Sequence, residues 1–117
     1  MSVITNKVGT LEYLTAEGIA VPHCFTTRFG GVSEGHLASL NLGIHRGDKP
    51  ENVRRNYEIL GEALGFDVKN LVFTRQTHTN TVRVVDARNA GEGLDREVEP
   101  ECGALVTNTP GLVLAAF

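Results

Sequence analysis

The sequence predicts an α+β fold, a mixed β-sheet packed with helices in which strands predominate. Three observations carry this reading. Short apolar runs rich in β-branched residues recur along the chain, as strands require. One segment alone, Pro50 to Leu64, repeats its apolar residues at helical spacing. Thirteen glycines and no tryptophan point to many tight turns around a core with few aromatic rings.

Residues 11–14 read as a first short strand and residues 19–27 as a second, with Pro22 confined to an edge or bulge. A glycine-punctuated loop follows through Gly30, Gly31 and Gly35 and continues to Gly47 and Asp48. Asp48, three residues before Glu51, resembles the start of a capping box, which makes Asp48 the expected helix cap. Pro50 suits the first helical turn, where a missing N–H is no loss. Val53, Tyr57, Leu60 and Leu64 then form one apolar stripe, and Gly65 supplies the stop.

Residues 71–74 and 81–85 are predicted strands flanking a polar segment, Arg75 to Asn80. Residues 86–103 form an acidic loop with Glu92, Asp95, Glu97, Glu99 and Glu101, expected to be solvated and mobile. Residues 104–107 and 112–117 complete the strands, joined by the turn signal Asn108-Thr109-Pro110-Gly111. The last apolar run stops at Phe117 with no turn signal after it. Residues 1–117 are therefore expected to be a single partial domain, with exposed apolar surface and self-association through the C-terminal strand.

The chain has 117 residues and a mass of 12.6 kDa, the size of one small domain. Its 41% hydrophobic and 21% charged residues are ordinary for a soluble globular protein. A net charge of -3 and no basic run argue against nucleic acid as a partner. No apolar stretch is long enough to span a membrane, and the N-terminus lacks the layout of a signal peptide. Two cysteines, Cys24 and Cys102, do not make a disulfide framework, so a reducing, cytoplasmic location is expected.

Few residues carry candidate chemistry. His78 follows a predicted buried strand, at the kind of edge where sites are mounted on a rigid sheet. Its imidazole can bind a metal or move a proton near neutrality, though a surface histidine bonded to a neighbour fits the same position. Arg28 follows Thr26-Thr27 and precedes Gly30-Gly31. Its planar fork and the glycine N–H groups suit an anion, and a turn with a solvated arginine is the equal alternative. No Gly-Lys-Ser/Thr follows, so this is not a nucleotide-triphosphate loop. His45 lies just before the helix and faces either a cleft or water. His23 and His36 carry no signal beyond their type. Cys24 reads as a small buried hydrophobe, and the carboxylates around Cys102 argue against a reactive thiol there.

Five short motifs then stand in order: Phe25-Thr26-Thr27-Arg28-Phe29-Gly30-Gly31-Val32-Ser33; Ser39-Leu40-Asn41-Leu42-Gly43-Ile44-His45; Gly47-Asp48; Gln76-Thr77-His78; and Ala104-Leu105-Val106-Thr107-Asn108 with Pro110-Gly111. Together, from about Val21 to Phe117, they resemble the laccase-domain (YfiH-like) family. Its members are described as purine nucleoside phosphorylases with adenosine deaminase activity, and earlier as multicopper polyphenol oxidases. The resemblance implies a layered α/β/α fold at full length, here incomplete. It also implies a catalytic zinc ion with His78 as one ligand. The other two ligands belong to a Thr-Ala-Asp-Cys segment and a His-Ala-Gly-Trp-Arg-Gly segment that this sequence does not contain. Gly103 stands where the family usually has Asp. Purine nucleoside and phosphate are the implied substrates, and Arg28, Gly30, Gly31 and His45 are the expected phosphate contacts. The alternatives are a catalytically silent fragment or binding domain and, more weakly, a copper-dependent polyphenol oxidase, for which four scattered histidines argue poorly.

Overall fold

A computed structural model describes residues 2–75, 80–98 and 102–117. The chain divides into two compact units, residues 1–65 and 66–117. The fold class is α+β as expected, with strands in both units and, among the described residues, one α-helix.

The first unit opens with a three-stranded antiparallel sheet in the order β1 (Val3–Val8), β2 (Leu11–Ala16), β3 (Phe25–Thr26). Strand β2 is the predicted first strand, two residues longer at its end. Its partner β1 is not predicted by the sequence, because residues 3–8 mix polar and apolar types and stay largely exposed. Of the predicted strand 19–27, only Phe25–Thr26 pairs. Pro22 has no N–H to offer a ladder. Beside it His23 takes over the pairing: Nε2 accepts from the Ala16 N–H at 2.9 Å, and Nδ1 lies 2.8 Å from the Val21 carbonyl.

Helix α1 (Pro50–Leu64) has the predicted bounds. Val53, Tyr57 and Leu60 are buried along the predicted stripe, and Asn56 and Gly61 share that face. Gly65 ends the helix at φ 83°, with its N–H on the Gly61 carbonyl at 2.8 Å, a left-handed cap that glycine adopts without strain. The N-terminal expectation is corrected. Lys49, not Asp48, is the N-cap, and no side chain caps the first turn. The Asp48 carboxylate sits one residue earlier, where hydroxyl and amide donors from the preceding loop engage it instead.

In the second unit β4 (Leu71–Phe73) pairs parallel with β7 (Val113–Ala115), and β5 (Val82–Val84) pairs parallel with β6 (Ala104–Val106). All of β4 is buried, as a continuous apolar run in a parallel pair should be. Its second edge is closed by the loop: the Phe73 N–H donates to the Glu92 carbonyl at 2.9 Å and the Gly91 N–H to the Leu71 carbonyl at 2.8 Å. Around Gly91 and Glu92 the acidic segment is thus built into the unit rather than wholly solvated. A 3-10 turn at Ala87–Asn89, boxed by Asp86 and Asn89, leads into it. Buried Glu92 takes two hydrogen bonds from Arg83, at 2.6 and 3.1 Å, and one from Asn89 at 2.7 Å. A solvated charge is the local expectation for Glu92, because its partner is distant in the chain. Arg83 arrives from β5. Cys102 is fully buried and donates its N–H to the Arg75 carbonyl. No helix among the described residues is long and apolar enough to cross a membrane.

Candidate anion-binding loop and its polar clamp

The expected phosphate contacts Arg28, Gly30 and Gly31 lie in one loop that leaves β3 and is zipped to Ser39 and Leu40. The Arg28 carbonyl accepts three hydrogen bonds: from the Ser39 N–H at 2.7 Å, the Leu40 N–H at 2.9 Å and the Ser39 hydroxyl at 3.1 Å. Three acceptor contacts on one carbonyl fix the backbone from which the guanidinium extends. The side chain itself is exposed, stacked over the Phe29 ring at 5.1 Å from its centroid. It has no carboxylate partner among the described residues. A cation held at its root and stacked on an aromatic face keeps its fork for an incoming anion.

The two glycines act differently from the expectation. Both of their N–H groups donate to the Ser39 hydroxyl oxygen, at 3.0 Å from Gly30 and 3.2 Å from Gly31. They are committed within the loop and are not free donors for an anion. What they supply is closeness. Gly30 sits at φ 106°, and a Cβ there would fall 2.3 Å from the Leu11 Cα. At Gly31 a Cβ would lie 2.2 Å from the Ser39 carbonyl oxygen and 2.5 Å from Asn56 Oδ1.

Asn56 is the residue that sequence reasoning missed. It is wholly buried on α1, with all of its amide's work done inside the unit. Its Oδ1 accepts from the Val32 N–H at 2.8 Å, and its Nδ2 donates to the Ser33 hydroxyl at 2.9 Å and the Asn41 carbonyl at 2.8 Å. The Ser33 hydroxyl in turn donates to Asp48 Oδ2 at 2.5 Å, an acceptor that Asn41 Nδ2 also reaches at 3.3 Å. Asp48 Oδ1 accepts from the Lys49 N–H and from Asn52 Nδ2. The Ser33 hydrogen bond, helped by Asn52, Asn41 and the Lys49 N–H, holds the Asp48 carboxyl below its ordinary range. A signal for Asn56 was present: it falls three residues after Val53 and four before Leu60, on the apolar stripe, where a polar side chain must find partners.

His45 lies in the exposed turn between Asn41 and Asp48. Asn41 braces that turn with its Nδ2 on the Gly43 carbonyl and its Oδ1 on the Gly43 N–H. Tyr57 pins the preceding residue, its hydroxyl donating to the Leu42 carbonyl at 2.6 Å, and burial pushes the phenol well above its ordinary range. Arg28 and His45 therefore rise from two segments of the first unit that one polar clamp joins.

His78, with Gln76 and Thr77 of its motif, lies outside the described residues. Among the described residues no group of three or more His, Cys, Asp or Glu side chains could hold a metal ion. They do not by themselves fit a zinc site. Cys24 is half-buried, and desolvation raises its thiol, in keeping with an inert role.

Residues 22–117 match the family described as multi-copper polyphenol oxidoreductase laccase. The chain belongs to this laccase family. Its similarity to two relatives runs along nearly all of its length. A protein of Corynebacterium glutamicum named purine nucleoside phosphorylase is 43% identical over 107 residues, covering 92% of this chain and 42% of that protein. One of the same name from Deinococcus radiodurans is 45% identical over 105 residues, covering 90% of this chain and 38% of that protein. Among solved structures, YlmD from Geobacillus stearothermophilus superposes with a TM-score of 0.80 at 30% identity, over 98% of this chain and 44% of the other. The chain spans about two fifths of the length of these laccase-family relatives.

Proposed function

We propose that this chain is part of a purine nucleoside phosphorylase and that its Arg28 loop holds the phosphate. The observation that supports this best is its identity of 43% and 45% to two relatives named for that activity, over nearly the whole chain. The loop geometry agrees with it in chemistry. In phosphorolysis a phosphate oxygen forms a bond to C1′ of the ribose as the C1′–N9 bond breaks. The bonding pair leaves on the purine, which takes up a proton, and ribose 1-phosphate remains. Charge on the sugar becomes oxocarbenium-like on the way, so a correctly placed phosphate dianion both attacks and stabilises. The Arg28 fork can engage two phosphate oxygens at once and fix the direction of attack. His45 offers a ring nitrogen as a further contact. Gly30 and Gly31 serve by allowing close packing behind Arg28, since their amides are occupied.

Zinc enters the proposal through His78 and the family resemblance. When bound, such an ion would supply a hydroxide near neutral pH, which suits deamination of adenosine at C6 as a side activity. The description of the family as multi-copper polyphenol oxidoreductases favours a second reading, copper-dependent oxidation of phenols.

The test is an assay of the full-length gene product with inosine or adenosine and phosphate. Release of free base together with ribose 1-phosphate is expected, along with strong loss in His78→Ala and loss of any deamination on zinc removal. Phenol oxidation dependent on added copper, with no phosphate-dependent base release, would replace this reading with the second.

A further inference from the structure

We propose that Asn56 is a positioning residue for the phosphate subsite, acting through the Arg28 loop rather than by touching substrate. This rests on the phosphorylase reading above. The geometry points to it in three steps. Asn56 is fully buried on the rigid helix α1, so its amide is a fixed reference point. Each of its polar atoms is spent on the two loop segments, Val32 and Ser33 on one side and Asn41 on the other. Those segments are in turn locked to each other through Ser33 N–H on the Ser39 carbonyl and the Ser39 contacts to Arg28, Gly30 and Gly31. A displacement at Asn56 therefore has a short covalent and hydrogen-bonded route to the backbone of Arg28, while among the described residues only the Phe29 ring steadies the exposed guanidinium. The same clamp braces the turn that carries His45 through Asn41 and Asp48. Gly31 packs directly against Asn56 Oδ1, which leaves the loop no slack on that side.

The experiment uses the full-length protein and varies phosphate and nucleoside separately. Asn56→Ala should raise the KM for phosphate about tenfold, with the larger share of the loss there rather than in kcat or the KM for nucleoside. Ser33→Ala removes only one hydroxyl of the clamp and should move the same constant in the same direction by a smaller factor; it carries the test if the Asn56 variant does not fold. Combined with Arg28→Ala, Asn56→Ala should add little further, because both act through one group. A purely structural Asn56 would instead reduce thermal stability and the active fraction while leaving the phosphate KM of the surviving enzyme unchanged, and that outcome overturns the proposal. If Arg28→Ala raises the phosphate KM and neither clamp variant does, only the positioning role falls. If Arg28→Ala itself leaves the phosphate KM unmoved, the phosphate subsite and the positioning role fall together.

Discussion

Two carboxylates show how much a single residue's partners decide. Asp48 is held below its ordinary carboxyl value of 3.8 by the Ser33 hydrogen bond first and by three weaker donors. Glu92 is held down in the same way, chiefly by Arg83. Both are ionised more readily in the folded chain than in the unfolded one. Their stabilisation is complete above the unfolded carboxyl pKa and is lost as pH falls through the folded value. Thermal melts should therefore drop in Tm on acidification below about pH 4–5, and Asp48→Asn should flatten that dependence. A wild-type Tm that is level across this window would contradict the role given to these carboxylates. Glu92→Gln addresses the second unit. It leaves the Arg83 guanidinium, whose side chain is only 16% exposed, without its counter-charge. Breaking such a pair should cost about 3 kcal/mol in urea unfolding. At this scale the sequence exposed some things and hid others. Arg28 was legible because an arginine beside paired glycines is an anion pattern. Asn56 and the bond between Arg83 and Glu92 were not, because each depends on partners distant in the chain, which no local pattern reveals.

At the scale of the element, helix α1 was readable to its last residue. Its stripe, its Pro50 and its Gly65 are all local signals, and local signals suffice for a helix whose hydrogen bonds are internal. Strands lack that self-sufficiency. The predicted strand at residues 19–27 shrank to Phe25–Thr26, while Val3–Val8 paired despite an unremarkable sequence. What β2 and its neighbours could pair with decided both. The loop that crosses over β4 gives a sharper test. Gly93 lies at φ 112°, and a Cβ on it would come within 2.2 Å of the Phe73 ring. Gly47 has a similar positive φ of 85° but open space around it. Gly47→Ala should therefore cost about 1 kcal/mol for backbone strain alone. Gly93→Ala carries that cost and a core clash, and should lose about 3 kcal/mol or more by chemical denaturation. Equal losses for the two would mean that Phe73 yields freely.

For the whole molecule, the notable surface is one face of the β5–β6 pair. The register sets Val82 beside Ala104 and Val84 beside Val106, with Val82, Val84 and Val106 exposed to 56, 80 and 51%. Parallel strands are rarely left open on an apolar face. Together with the exposed Leu114 and Phe117, this surface should make the 117-residue chain associate in solution. Sedimentation velocity should show concentration-dependent growth in mass that Val84→Lys reduces; a monodisperse monomer at high concentration would refute this. Taken by itself, the sequence determined the α+β class, the span of the helix and its glycine stop, most strand cores and the family to which its ordered motifs belong, because periodicity, turn residues and spacing are written locally. Only the tertiary structure decided that Asp48 braces a loop instead of capping a helix, that the Gly30 and Gly31 amides are already taken, and that Asn56 stands at the centre of the clamp. Those outcomes are set by which donors and acceptors, far apart in the chain, are buried together and must satisfy one another.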